Sequence, residues 1–192
     1  MKLIYSPTSP YARKVRVAII EYGLEGRVTL VPVNPLEPGA EAEIPNPLGK
    51  VPTLVLDDGV ALYDSPVICQ YLLELSGGPP PAWADLRRQA LGDGVIDAAF
   101  NAVMERRRPA EQQSPMWLER WEAAIVRSLA AMEAEADKLD AELGLVEINW
   151  ACAMGYLDFR LEHLAWRERC ARLAAWHQSI ADRPAMLQTS PG

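Results

Sequence analysis

The sequence predicts an α/β domain built on a mixed four-stranded sheet with helices, followed by an all-α helical bundle. Within the first 75 residues short strand patterns alternate with helical ones, whereas from Trp83 onward the apolar spacing is helical throughout. Between the two regions lies Ser76–Pro81, SGGPPP, where two glycines and three prolines cannot continue regular structure. The expected boundaries are therefore a first domain over 1–76, a linker over 77–84 and a helical domain over 85–192.

Each element has its own signal. Leu3 to Tyr5 is a short apolar strand, and after a polar, proline-rich loop Val15, Ala18, Ile19 and Tyr22 recur at helical spacing. Val28 to Val33 reads as a second strand, and a strand–helix–strand crossover is the unit that builds a parallel pair. Thr53 to Leu56 and Val60 to Tyr63 flank Asp57, Asp58 and Gly59, a short turn with glycine available for positive φ, so an antiparallel hairpin is expected. Ser65 is expected to cap the next helix, with Pro66 at its first position and Ile68, Tyr71, Leu72 and Leu75 as its apolar face. Helical patterns then run over about 83–107, 116–142, 145–163 and 168–181. Leu145 to Leu157 is apolar on nearly every side apart from Glu147 and Asn149, which assigns it to the middle of the bundle.

Composition excludes several function classes. The chain has 192 residues, 49% of them hydrophobic, which is enough to bury a substantial core. Its first 18 residues mix polar, proline and basic side chains where a secretory signal needs an apolar stretch. No apolar run reaches the roughly 18 residues of a membrane span, so no membrane association is expected. The formal charge of −7 is spread over both regions: six basic against nine acidic residues up to Ser76, thirteen against seventeen after it. The one basic cluster, Arg106, Arg107 and Arg108, is bracketed by Glu105 and Glu111, too little positive surface for a nucleic-acid partner. Cys69, Cys152 and Cys170 are widely spaced and sit in helical patterns, which fits buried thiols in a reducing cytoplasmic setting, with no disulfide and no metal site. The six tryptophans are spread along the second region and read as core and interface packing.

The stretch richest in chemistry is Ser6 to Lys14, SPTSPYARK, where a strand ends and a helix begins and where Ser6, Thr8, Ser9 and Tyr11 gather four hydroxyls. Serine as the cap with proline at the first helical position places the Ser9 hydroxyl beside unpaired backbone N–H groups, a position that favours an anion. A Ser-Pro pair taken alone is more readily read as a plain helix cap. Two further segments add context. In Asn46 to Pro52, NPLGKVP, a cis Val51-Pro52 bond turns the Val51 backbone outward to pair with an extended ligand, while a trans proline only begins an edge strand. In Tyr63 to Pro66, YDSP, Asp64 and Ser65 form either a plain helix start or a carboxylate–hydroxyl pair that holds an amino-acid head group.

In this order and within this strand–helix frame, the three segments resemble the glutathione transferase family. The resemblance implies a thioredoxin-like first domain that binds glutathione, with Ser9 at the position that activates the glutathione sulfur and Thr8 and Tyr11 beside it. It implies that Val51, ahead of a cis Pro52, pairs with the cysteinyl backbone, that Lys50 approaches the glycine end, and that Asp64 and Ser65 hold the γ-glutamyl amine and carboxylate. GYLDFR at Gly155 to Arg160 resembles the end of the family's buried helix, and RPAMLQT at Arg183 to Thr189 its usual C-terminal segment. Glutathione is thus the expected co-substrate, a small hydrophobic electrophile the second substrate, and a homodimer the expected assembly. Tyr11, Met104, Arg107 and Arg108 are the candidate wall for the electrophile.

Two departures bear on this reading. Where the family often caps its buried helix with Ser or Thr and places Asp three residues later, this chain has Gly144 and Glu147; glycine costs only a few tenths of a kcal/mol as a cap. Serine stands at the activating position where some relatives have cysteine. A cysteine can form a mixed disulfide with glutathione, whereas a serine can only hydrogen-bond the thiolate, so transferase or peroxidase chemistry is favoured over thiol exchange. The alternatives are a glutathione-dependent oxidoreductase and a non-catalytic protein-binding module that retains the fold. His163 and His177 lie in helical patterns of the second region, so Ser9 lacks the histidine base of a hydrolase.

Overall fold

The computed structural model of the protein describes residues 1–191. The first unit holds β1 (Lys2–Tyr5), α1 (Pro10–Glu21), β2 (Thr29–Pro32), β3 (Thr53–Val55), β4 (Ala61–Leu62) and α2 (Ser65–Leu75). The strands form one sheet in the order β2-β1-β3-β4. β1 pairs in parallel with β2, as a crossover through α1 requires, and antiparallel with β3, which pairs antiparallel with β4. The hairpin turn closes as its sequence specifies: Gly59 takes φ 87°, and Leu56 N–H donates to the Val60 carbonyl at 2.8 Å. Leu3, Leu54, Val15, Ala18, Ile68 and Leu72 are all buried.

The chain divides into this unit, Met1–Pro81 with the segment beginning at Asp182, and a second unit, Ala82–Ala181. The break between Pro81 and Ala82 lies inside the expected linker, but the C-terminal segment groups with the first unit rather than with the helical domain. Cations on α1 account for this. Arg13, itself buried, donates to the Met186 carbonyl and to Thr189 Oγ1, and Arg16 donates to the Gln188 carbonyl, so both satisfy acceptors in and after α8 (Pro184–Gln188). Arg183 adds a bidentate pair to Glu21 at the end of α1.

The second unit holds α3 (Trp83–Arg106), α4 (Pro115–Ala134), α5 (Leu145–Arg160), α6 (Trp166–Arg169) and α7 (Ala171–Ser179). α5 is buried along almost its whole length, as its sequence predicts, and it packs against α3. An alanine Cβ at Gly92 would meet both Asn149 and Trp150, so the glycine is what lets the two helices approach. At the α5 N-terminus Gly144 is the cap and offers no side-chain bond, while Glu147 in the first turn is buried, which pushes its carboxyl above the ordinary range. Three expected helices are shorter in the structure. The second ends at Ala134 instead of 142, the third at Arg160 instead of 163, and the fourth is interrupted at Cys170, which leaves helical dihedrals at φ −132° and ψ 71°.

The early end of α4 has an identifiable partner. Glu135, just past the helix, takes hydrogen bonds from Arg87 at 2.6 Å and Arg88 at 3.0 Å. The Arg87 and Arg88 bonds hold its carboxyl ionised and lower it from 4.5 to about 2. A carboxyl depressed on folding contributes stability above its unfolded value and loses it as pH falls through the folded one, here between about 4.5 and 2. Glu135→Gln is expected to cost about 1–2 kcal/mol at neutral pH, a value reduced because Arg87 is exposed, and to flatten the loss of stability in acid. Urea denaturation across this pH range measures both effects; parallel acid profiles for the two proteins would refute the assignment.

Candidate functional site

The strand register brings three loops to one end of the sheet. Ile4 stands opposite Thr53, and Leu54 opposite Leu62. The end of β1, the start of β3 and the end of β4 therefore share an edge, and with them come Ser6 to Ser9, Val51-Pro52 and Asp64-Ser65. The N-termini of α1 and α2 both begin there, so two helix dipoles present their positive ends at the same edge.

Ser9 is the cap of α1, with extended dihedrals of φ −78° and ψ 122° and Pro10 beginning the helix. Its Oγ accepts from the Ala12 N–H at 3.2 Å, and its carbonyl accepts from Arg13 N–H at 2.9 Å. A hydroxyl that accepts through a lone pair still has its proton to donate, so capping and donation to an anion are compatible in one residue. Thr8 and Tyr11 flank Ser9 and are half-buried.

The Val51-Pro52 peptide is cis. The ladder of β3 begins only at Thr53, and among the described residues the Val51 backbone makes no backbone–backbone hydrogen bond. Its side chain packs on the cluster of Ile4, Val33, Ala40 and Ile44, which anchors the loop while the main chain stays unpaired. Sequence reading gave Asn46 no role, yet it shapes this loop. Its Oδ1 accepts from the Leu48 N–H at 2.9 Å and its Nδ2 donates to the Lys50 carbonyl at 3.1 Å, a bond reinforced by Thr53 Oγ1 at 2.9 Å. An asparagine before proline in a loop is the available sequence signal, because its side chain can close a turn on its own backbone. Lys50 is exposed.

At the start of α2 the structure shifts the expected roles by one residue. Asp64 holds the cap position and Ser65 is the first helical residue, with Pro66 second. The Asp64 side chain makes no capping bond and is exposed, and the Tyr63-Asp64 peptide is also cis. Ser65 is 1% exposed, and its Oγ has no hydrogen-bond partner among the described residues. An unpaired carboxylate and the first free N–H groups of a helix can together hold an ammonium and a carboxylate on neighbouring atoms of one ligand.

Family models for the N-terminal domain of glutathione S-transferase and for its C-terminal domain match residues 8–75 and 115–179. The chain belongs to the glutathione S-transferase family. An uncharacterized GST-like protein of Escherichia coli, YibF, is 34% identical over all of this chain and 98% of its own length. A glutathione transferase family member from Pseudomonas fluorescens Pf-5, solved with bound glutathione, is 41% identical with a TM-score of 0.93 over 100% of this chain and 98% of that one. The same transferase solved with S-(propanoic acid)-glutathione gives 0.91 over the full length of both chains. A glutathione S-transferase from Methylobacillus flagellatus with glutathione bound is 37% identical, with a TM-score of 0.90 over 100% and 99% of the two chains. The first unit is thus the thioredoxin-like half of the glutathione S-transferase fold, and the second its helical half.

The remaining candidates lie in the second unit. Met104 is half-buried near the end of α3, and Arg107 and Arg108 are exposed just past it. Arg108 pairs with Glu105 at 3.4 Å. Cys69, Cys152 and Cys170 are buried, and no disulfide joins them. Among the described residues no helix is long and apolar enough to cross a membrane, and no three His, Cys, Asp or Glu side chains gather as metal ligands do.

Proposed function

We propose that this chain is a glutathione transferase that binds glutathione along the Val51, Asp64 and Ser65 edge of its first unit and adds the thiolate to a small electrophile. The observation that carries the reading is the convergence, on one sheet edge, of an unpaired Val51 backbone, an uncapped Asp64 carboxylate and a Ser9 hydroxyl with a proton to donate. The Val51 N–H and C=O pair with the cysteinyl main chain of glutathione as a strand partner does. Asp64 takes the γ-glutamyl ammonium, and Ser65 with the α2 N-terminus takes its carboxylate. Lys50 offers a cation to the glycine carboxylate. Bound in this way, the sulfur lies at the start of α1, where the Ser9 O–H donates to the thiolate. The sulfur lone pair then forms the new C–S bond; in a substitution the leaving group departs with its bonding pair, and in an addition the π pair shifts to the neighbouring atom, which takes up a proton from solvent; Ser9 forms no covalent bond.

Calorimetry with glutathione tests the binding half. Asp64→Ala is expected to weaken affinity about tenfold, the scale of a charge-assisted hydrogen bond. Equal affinity in the variant would remove Asp64 from the site. The reading includes a cytoplasmic homodimer. Sedimentation equilibrium at micromolar concentration is expected to give twice the 21.2 kDa chain mass, and a single-chain mass would remove the dimer from the reading.

A further inference from the structure

The last residue of α3 and the turn that follows α5 meet at one residue of α4. Glu122 Oε1 accepts from Arg106 and from His163 Nε2, which places the residues after α3 and those ending α5 at the same end of the second unit. Within the run Arg106, Arg107 and Arg108 the outer two are neutralised, Arg106 by Glu122 and Arg108 by Glu105. The middle guanidinium is not: among the described residues Arg107 makes no side-chain hydrogen bond or ion pair. Arg160, the last residue of α5, likewise has no acidic partner there; its guanidinium lies over the Phe159 ring, 3.8 Å from the centroid. Neither side chain donates to a helix-end carbonyl, as an arginine serving only as a C-terminal cap does.

Tyr156 lies one helical turn before Arg160, on the same face of α5. It is 5% exposed, yet its hydroxyl has no hydrogen-bond partner among the described residues. Burial pushes the phenol above its ordinary value, and Arg160 and then Arg107, both near enough to act on it, pull it back. The hydroxyl is therefore a neutral donor at physiological pH. Two unpaired guanidiniums and one unpaired O–H present donors and no acceptor, the complement of a carboxylate. The adjacent helix ends oppose an anion with about half a charge each, less than the full charge on each arginine.

We propose that Arg107, Arg160 and Tyr156 form an anion subsite within the second unit that holds the carboxylate of a small acidic ligand.

Titration of the full chain with a carboxylate and with its uncharged counterpart tests the subsite. Benzoate titrated into 15N-labelled protein is expected to shift the Nε–Hε resonances of Arg107 and Arg160 to saturation, whereas benzamide leaves them in place. Arg160→Met and Arg107→Met should each weaken benzoate at least fivefold, Tyr156→Phe about threefold, and Arg127→Met, at an exposed position further along α4, not at all. Identical responses to benzoate and benzamide would overturn the subsite.

Discussion

Ser9→Ala is expected to lower turnover about ten- to a hundredfold at neutral pH while leaving glutathione affinity nearly intact. A free thiol titrates near ~8.5, and each unit of depression corresponds to about 1.4 kcal/mol of preference for the thiolate. One hydroxyl donor at a helix N-terminus supplies about one to two such units. On the proposed reading, removing the donor raises the bound thiol's pKa by that amount and leaves the contacts proposed at Val51, Asp64 and Ser65 untouched, so binding and chemistry should separate. The substitution also removes the bond that Ser9 Oγ accepts from Ala12, and loss of a cap costs about 1 kcal/mol of stability. Ser9→Gly distinguishes the two effects, because glycine caps almost as well as serine but has no proton to donate. Thiolate absorbance of the glutathione complex against pH should therefore shift equally in Ser9→Ala and Ser9→Gly. An unshifted titration in both would reduce Ser9 to a helix cap and leave Thr8 and Tyr11 as the nearest hydroxyls.

The parts of this site legible in the sequence are those fixed locally. Ser9-Pro10, the Asp57-Asp58-Gly59 turn and the loop ending at Val51-Pro52 each depend on a few adjacent residues whose backbone preferences are strong. What escaped reading depends on partners far along the chain. Nothing in AMEAEADKLDAE stops a helix, and α4 ends at Ala134 where Glu135 meets Arg87 and Arg88, 47 and more residues earlier. Arg13 looks like one more polar residue in an amphipathic helix, yet it is buried and bonded to Met186 and Thr189, more than 170 positions away. Similarly, the run Arg106 to Arg108 reads as three equivalent cations, and only the placement of Glu105 and Glu122 leaves Arg107 unpaired. Ser65 was misplaced by one residue for a different reason. Asp64 and Ser65 are both good caps before a proline, and propensity alone cannot rank them.

The largest loss of stability is expected from Trp150→Ala, at about 3–5 kcal/mol, the range for removing a fully buried aromatic side chain. Trp150 is 0% exposed in the middle of α5, and its Nε1–H donates to the Arg88 carbonyl at 2.8 Å. The indole also abuts Gly92, so truncation opens a void where α3 and α5 come together, and neither helix can close it without moving Asn149 and its bond to Asp93. Packing rather than the hydrogen bond dominates the cost. The Arg88 carbonyl lies inside α3, where it also accepts along the helix, so losing the indole donor amounts to about 1 kcal/mol. Trp150→Phe, which keeps most of the ring volume and drops the donor, should therefore cost about 1–2 kcal/mol and no more. All six tryptophans fall between Trp83 and Trp176, inside the second unit, so fluorescence follows the unfolding of that unit alone. The urea midpoint read by tryptophan fluorescence should fall in the order wild type, Trp150→Phe, Trp150→Ala. Equal losses for the two variants would mean that the hydrogen bond, and not the filled volume between α3 and α5, holds this helix pair together.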